Sequence, residues 1–235
     1  MTKYWVPGKV KTRLGNTIGM VPAADLHKLF VSKLCGSLSD AADERCLCIT
    51  PAENLPSVQL ALEEWQLSPK WRLTSQVMGD LGARMSGWLR QTLGTSGNRA
   101  AILIGSDCPL LSANDIAKAA DCLHQSDVVL GPACDGGYYL IGISGPWRPE
   151  LETLFKQIPW STSEVLSLTR QKLAQANLKL TELEPCEDID TERELVRLLQ
   201  SHPGNQRPAW DEHGEFFRAL HAILEKSVLS DRGNE

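Results

Sequence analysis

The feature that most restricts this chain is a rhythm. Short runs rich in β-branched and apolar residues alternate with longer stretches of helical spacing. The runs are "RCLCIT" (45–50), "WRLTSQ" (71–76), "AAILIG" (100–105), "DVVLGP" (127–132), "YYLIGI" (138–143) and "LKLTEL" (178–183), with helical patterns at 22–38, 58–66, 80–92, 113–125 and 163–176. Strands separated by helices predict an α/β fold, a three-layer α/β/α sandwich around a mostly parallel sheet. "AAILIG" is apolar on both faces, as a central strand must be. One segment breaks the rhythm. "DVVLGPACDGGYYLIGI" holds two strands with Asp-Gly-Gly between them and no room for a crossover helix, so it reads as a hairpin or a mixed-sheet irregularity.

With 235 residues, 42% of them hydrophobic, the chain can bury a full core in one such domain. That domain is expected over residues 1–200. Residues 201–235 read as an appendage: a linker, "SHPGNQRP", then "AWDEHGEFFRALHAILEKSVL", whose Phe217, Leu220, Ile223 and Leu224 fall at helical spacing. Such an amphipathic helix packs on the domain or on a partner, self-association included.

The formal net charge is −5, yet the chain opens with cations. From Met1 to Arg13 there are Lys3, Lys9, Lys11 and Arg13 and no carboxylate, three of them within "VPGKVKTRLG". An acidic protein with one short basic loop suits a small anion, not the broad footprint of nucleic acid. No apolar run approaches the ~20 residues that span a bilayer, and "MTKYWV" lacks the core of a signal peptide. A cytoplasmic protein without a membrane partner is expected. The seven cysteines form no Cys-x-x-Cys, and several sit in strand-like runs where a thiol is a small hydrophobe.

Two acidic features answer the basic loop. In open α/β sheets ligands bind beyond the carboxyl ends of strands, which is where "GSDCPLL" places Asp107 after "AAILIG". Its carboxylate either holds a hard divalent cation or organises the turn into the helix beginning near Ser112. Further on, "EPCEDIDTERE" (184–194) carries six carboxylates against one arginine. Asp188 and Asp190 lie two apart, so on an extended segment they face one way and can share a cation. Alternatively, Thr191 and Glu194 form a capping box, with Asp190 a second candidate cap for "TERELVRLLQ". The loop's Lys9, Lys11 and Arg13 would then take the phosphates of a nucleotide whose metal the acidic residues hold. The spacing is not a Walker A motif, and no Gly-x-Gly-x-x-Gly is present.

Taken in order, "VPGKVKTRLG", "QVMGDLGARM", "LIGSDCPLL", "GPACDGGYYLIGI", "IPWST" and "DIDT", spread over about residues 3–199, resemble an uncharacterised family of glycosyltransferase-A-type proteins, some labelled rSAM/selenodomain-associated transferases. The same order is similar to that of the phospholactate guanylyltransferases and, more distantly, the molybdenum-cofactor guanylyltransferases. The resemblance implies a nucleotide-diphospho-sugar transferase (GT-A-like) fold with a metal-nucleotide site. It implies that Pro7, Gly8, Lys9, Lys11 and Arg13 meet phosphates, that Gly79, Asp80, Leu81 and Gly82 approach the nucleoside, and that Asp107 binds Mg²⁺ or Mn²⁺ with Asp188 and Asp190. Lys11, Arg13 and Asp107 would be the catalytic residues. Asp135, Gly136, Gly137, Trp160 and Thr162 are the candidates for the acceptor. "CDGGYY" also reads as a plain turn, and Ser161 with Glu164 as a capping box.

Such relatives begin with an apolar strand, whereas Lys3 to Val6 supply only a stub. The first strand is therefore expected to be truncated, with "RCLCIT" and "AAILIG" under-paired at their amino-terminal ends and the basic loop less firmly held. None of the five histidines (27, 124, 202, 213, 221) stands beside a motif, and there is no Gly-x-Ser-x-Gly elbow, which argues against a nucleophilic triad. The expected activity is metal-dependent transfer from an activated nucleotide: nucleotidyl transfer from a nucleoside triphosphate to a small acceptor, or glycosyl transfer from a nucleotide-sugar. The third reading is a catalytically silent nucleotide-binding or scaffold protein.

Overall fold

A computed structural model describes residues 1–94, 100–201 and 213–232. The chain begins with β1 (Thr2–Lys3), then α1 (Thr12–Ile18) and α2 (Met20–Ser37). Strand β2 (Cys46–Thr50), helix α3 (Leu55–Glu64), β3 (Arg72–Ser75) and α4 (Leu81–Leu93) complete the first half. The second half is β4 (Ala100–Ile104), α5 (Ala113–Leu123), β5 (Val128–Pro132), β6 (Tyr138–Ser144), α6 (Pro149–Thr153), α7 (Val165–Gln175), β7 (Leu180–Glu182), α8 (Glu192–Ser201) and α9 (Gly214–Arg232). Every strand-like run of the sequence contains a strand. The fold is the α/β architecture that the alternation predicts.

The sheet is not one continuous ladder. Strands β1, β2 and β3 form a parallel sheet in that order, and β4, β6, β5 and β7 form a mixed one. Strand β6 runs antiparallel to both β4 and β5, with a register shift between Gly131 and Pro132, so the Asp-Gly-Gly segment is the irregularity its sequence suggests. Strand β4 corrects one expectation: among the described residues it pairs with β6 alone and is not ladder-bonded on both sides. At its other edge the Met1 ammonium donates a 2.7 Å hydrogen bond to the Ile104 carbonyl. Because β1 reaches only Ile49 and Thr50 of β2, Cys46 to Cys48 pair with β3 and with no strand on the other side among the described residues. The expected under-pairing is observed.

Helices cover both faces. On one, Met85, Leu89 and Leu93 of α4 and Leu166 and Leu173 of α7 pack on Ala101, Leu103, Val128, Leu130, Ile141 and Ile143. On the other, Leu34 of α2 and Ile116, Ala119 and Leu123 of α5 pack on Val129 and Leu140. Helix α9 does not hang free. Its Phe216, Phe217 and Leu220 are buried against Leu14, Leu26 and Phe30 of α1 and α2 and against Leu195 and Leu198 of α8. The apolar face that could have served self-association is largely spent within the chain. Apart from Ser201, the linker "SHPGNQRP" lies outside the described residues. Among the described residues no helix is long and apolar enough to cross a membrane.

Candidate nucleotide and metal site

Beyond the carboxyl ends of β1 and β4 opens a cleft of about 450 Å³. Its most constrained side chain is Lys11. The residue stands at the start of α1 with φ 46° and ψ 40°, a left-handed conformation that costs a non-glycine residue roughly 1–2 kcal/mol. In return its side chain points inward and is only 2% exposed. The Nζ donates to the Ile189 carbonyl at 2.7 Å and to Asp190 Oδ1 at 3.1 Å, and it forms an ion pair with Asp107 Oδ1. It also lies 5.4 Å from the centroid of the Phe30 ring, within cation–π range. Burial alone would lower the ammonium's pKa, but Asp107 and Asp190 outweigh it and hold it above its ordinary value. For Asp107, burial pushes upward and Lys11 more than reverses it, so the carboxyl sits below its usual range.

The acidic segment is placed by backbone bonds. Cys186 donates to Pro132 O at 3.0 Å and Ile189 donates to Asp107 O at 2.9 Å, zipping residues 186–189 along the ends of β5 and β4. Ile189 is buried in the cluster beneath α1, and alternation turns Asp188 and Asp190 to the cleft, as their spacing predicts. Burial, then the nearby carboxylates of Asp135, Asp190 and Asp107, push the Asp188 carboxyl up to about 6. Glu194 makes its half of the box with Thr191, accepting from the Thr191 amide at 2.7 Å and from its hydroxyl. Asp190 therefore does not serve as the helix cap.

The cleft wall gathers Lys9, Lys11, Leu81, Asp107, Asp135, Gly137, Trp160, Thr162, Asp188 and Asp190 of the expected residues. It omits Pro7, Gly8, Arg13, Gly79, Asp80, Gly82 and Gly136. Arg13 is the second residue of α1, is exposed, and does not line the cleft. Asp80 is the α4 cap, accepting from the Ala83 amide at 2.8 Å. Gly82 is required by packing: a Cβ there would lie 2.4 Å from the Phe155 carbonyl and 2.7 Å from Trp160 Nε1. Gly136, at φ 91°, lies against the Ser163 backbone, and Asp135 accepts from the Gly137 amide at 2.8 Å, closing its own turn. The Ser161–Glu164 box is absent. Ser161 takes φ 67°, which aims it away from the helix, and Glu164 occupies the cap position of α7 with no side-chain cap bond.

Two cleft residues lie outside the expected site set. Arg84, on the first turn of α4, lines the wall and holds the Gly79 carbonyl at 2.9 Å. His27 of α2 is buried on the floor, its Nε2 2.9 Å from Thr2 Oγ1 and 3.1 Å from the Lys3 carbonyl, while Thr2 Oγ1 donates to Ser106 at 3.1 Å. With Nε2 engaged by an acceptor carbonyl, the buried Nδ1 has no hydrogen-bond partner. Burial keeps this imidazole's pKa below its ordinary value. Helical spacing alone could have flagged Arg84, since it follows Leu81 by three residues on one face.

One cation position is thus shared by two carboxylates, Asp107 beyond β4 and Asp190 just ahead of α8. The profile of a bacterial family described as "Uncharacterized protein conserved in bacteria (DUF2064)" matches residues 38–162. The chain belongs to the DUF2064 family. Among solved structures, it is similar to a provisionally named nucleotide-diphospho-sugar transferase from Desulfovibrio desulfuricans G20, with 30% identity over 96% of this chain and 94% of that one and a TM-score of 0.79. A nucleotidyl transferase from Methanothermobacter thermautotrophicus aligns over 85% of this chain and 94% of that one at 16% identity and a TM-score of 0.53. A 4-diphosphocytidyl-2C-methyl-D-erythritol synthase from Anaerococcus prevotii DSM 20548 aligns over 73% and 86% at 11% identity, TM-score 0.52. The fold of this DUF2064 chain is that of the nucleotide-diphospho-sugar transferases. No protein of curated function matches the sequence.

The chemistry of the donors bears on a metal. Among the described residues no group of three His, Cys, Asp or Glu converges closely enough to hold an ion alone. Asp107 and Asp190, however, both approach one ammonium, and two carboxylates completed by phosphate oxygens and water are what Mg²⁺ ordinarily takes. The donors fit such an ion. A divalent cation would compete with Lys11 for both oxygens.

Proposed function

We propose that this chain is a metal-dependent nucleotidyltransferase acting on a nucleoside triphosphate and a small acceptor. The observation that carries the reading is the shared cation position between Asp107 and Asp190 in a cleft that also presents Lys9 and Arg84. Lys9 and Arg84 bind the phosphate chain, and Asp107 and Asp190, with Asp188 beside them, hold Mg²⁺ or Mn²⁺. Such an ion would supply Lewis-acid stabilisation of the phosphate charge at this position. An acceptor oxygen attacks the α-phosphorus, the bond to the bridging oxygen of the β-phosphate breaks, and the acceptor's proton passes to solvent. Trp160 and Thr162, with the Asp135–Gly137 turn, flank the remaining space and take the acceptor. The likeness of the motif order to guanylyltransferases favours this reading. The name of the Desulfovibrio relative favours a second, glycosyl transfer from a nucleotide-sugar.

Products separate the two. Each nucleoside triphosphate and nucleotide-sugar is incubated with the protein, Mg²⁺ or Mn²⁺ and a panel of small acceptors. Pyrophosphate release supports nucleotidyl transfer, and nucleoside diphosphate release supports glycosyl transfer. Asp107→Asn, which keeps shape and removes charge, should abolish either and should remove the divalent-dependent part of nucleotide affinity in calorimetry. Binding that is equal in EDTA and in Mg²⁺ would overturn the metal assignment.

A further inference from the structure

Gln76 follows β3 directly and lines the cleft, yet no step of the proposed reaction uses it. Its backbone amide donates to the Ile49 carbonyl of β2 at 2.9 Å. Its side-chain Nε2 donates to the Cys48 carbonyl of β2 at 3.1 Å and reaches on to the Thr2 carbonyl of β1 at 2.9 Å. Backbone and side chain are both pinned. We propose that Gln76 reads the nucleobase: its Oε1 is a fixed acceptor, so the nucleotide that this cleft takes carries a base with an edge N–H turned towards the carboxyl end of β3.

The first support is the orientation of the amide. A glutamine side chain ordinarily serves donors and acceptors alike, because half a turn about its last bond exchanges the oxygen and the amino group. Here both protons of Nε2 are committed to carbonyl oxygens. Half a turn would set Oε1 against those same two oxygens, three acceptors with no proton between them, and would leave two carbonyls without their donor. Oε1 therefore only accepts, and among the described residues no group donates to it. A fixed acceptor selects more sharply than one free to turn. A base edge that lacks an N–H there leaves the oxygen facing a lone pair, the kind of mismatch that polar sites reject most strongly.

The second support is place. Across the carboxyl ends the strands run β3, β2, β1 in one sheet and β4, β6, β5 in the other, with the hydrogen bond from Met1 to Ile104 setting β1 beside β4. Asp107, just past β4, therefore stands in the middle of the cleft. Asp135 and Gly137, between β5 and β6, stand at one end, and Gln76, just past β3, stands at the other. On the reading proposed above, on which this assignment rests, phosphates gather at Asp107 and Asp190 and the acceptor takes the Asp135 end. The nucleoside of the same nucleotide is left the Gln76 end. Three hydrogen bonds hold this side chain and its backbone before any ligand arrives, so little ordering cost falls on binding.

Calorimetry in Mg²⁺ compares GTP, ATP, CTP, UTP and inorganic tripolyphosphate, which has no base. The wild type should favour one base over the least favoured by about tenfold or more. Gln76→Met, of similar length and without polar atoms, should bring the four within about threefold of one another and leave tripolyphosphate affinity unchanged. Because that variant also deprives the Thr2 and Cys48 carbonyls of their donor, a second measurement uses the unaltered protein. Methylating the edge N–H of the favoured triphosphate (N1 of guanine, N3 of uracil, or the exocyclic amine of adenine or cytosine, dimethylated) should weaken binding by about tenfold or more. Mg²⁺-dependent binding that is indifferent to the base would overturn the role of Gln76 and leave the metal-nucleotide site standing. A methylated analogue that binds as well as its parent, or a Gln76→Met variant that loses tripolyphosphate as fully as the four triphosphates, would reduce Gln76 to a tie between strands. Failure of every triphosphate to bind would overturn both readings.

Discussion

The carbonyl of Ile189 accepts a 2.7 Å hydrogen bond from the ammonium of Lys11, joining residues 178 positions apart. That bond fixes the direction of the lysine. Its charge reaches the gap between Asp107 and Asp190 and does not project into the open cleft. The opposite charges that the sequence sets at either end of the chain were expected to meet across a nucleotide. They meet each other, and Lys3, Lys9 and Arg84 are the further cations that line the cleft.

Lys11→Met should therefore expose a cost and a remedy. Removing the ammonium leaves Asp107, Asp188 and Asp190 crowded without their cation. The loss should be about 2 kcal/mol, below the ~3–5 of a fully enclosed pair because both partner carboxylates open onto the cleft. Millimolar Mg²⁺ should then raise the variant's Tm more than the wild type's, since the ion no longer competes with Lys11. Thermal melts with and without Mg²⁺ check this. An identical Mg²⁺ response in the two proteins would mean that the ion does not enter between these carboxylates.

Arg84→Ala and Lys9→Ala should each weaken triphosphate binding by about tenfold, in line with the ~1.5–3 kcal/mol of a hydrogen bond to a charged group discounted for exposure. Nucleoside binding should hardly change. Arg13→Ala, on the exposed side of α1, should leave both affinities within twofold. Calorimetry with a triphosphate and its nucleoside separates the cases. A large loss in Arg13→Ala alone would restore the assignment that its sequence position suggests.

The periodicity of the chain located β2 to β7 because alternation reflects burial, a property that each segment carries locally; the two residues of β1, Thr2 and Lys3, are too few to show it. Asp107 was legible for a related reason: ligands gather at strand carboxyl ends, and β4 is unmistakable. Asp188 and Asp190 followed from a period of two. What could not be read is whatever depends on a distant partner. The inward turn of Lys11 rests on Phe30, Ile189 and a left-handed backbone, none of them evident in "VPGKVKTRLG". His27 enters the cleft only because α2 passes beneath β1. Ser161 satisfies the spacing of a capping box, but its positive φ forbids the geometry. The glycine at 82 looked like a ligand-facing residue, and its role is to let Trp160 and Phe155 close in.

That last assignment has a direct consequence. Gly82→Ala places a methyl 2.4 Å from the Phe155 carbonyl, backbone that cannot swing aside, and within 3 Å of the Trp160 ring. Overpacking of this kind costs about 1–3 kcal/mol. It should also displace Trp160 from the cleft wall. A Tm lowered by several degrees together with a shift in tryptophan emission is the expected result. A stable variant that has lost only nucleoside affinity would show instead that Gly82 serves the ligand.

Asp127 offers a test of electrostatics away from the cleft. Its carboxylate accepts from Arg148 Nη2 at 2.7 Å and from the Lys179 amide at 2.8 Å, tying the start of β7 to the segment before α6. Burial works to raise its pKa, but Arg148 and the Lys179 amide outweigh it, and the carboxyl is held below the ordinary 3.8. A carboxyl depressed in the folded state contributes its full stability above its unfolded pKa and loses it as pH falls through the folded value. Asp127→Asn keeps the shape and the bond from Lys179 while removing the charge. At pH 7 it should cost about 1.5 kcal/mol, a few degrees in Tm for a chain of this size. As pH is lowered from 5 towards 3, the wild type loses the advantage and the two melting curves should converge. A gap that stays constant across that range would assign the cost to altered hydrogen-bond geometry and not to the charge.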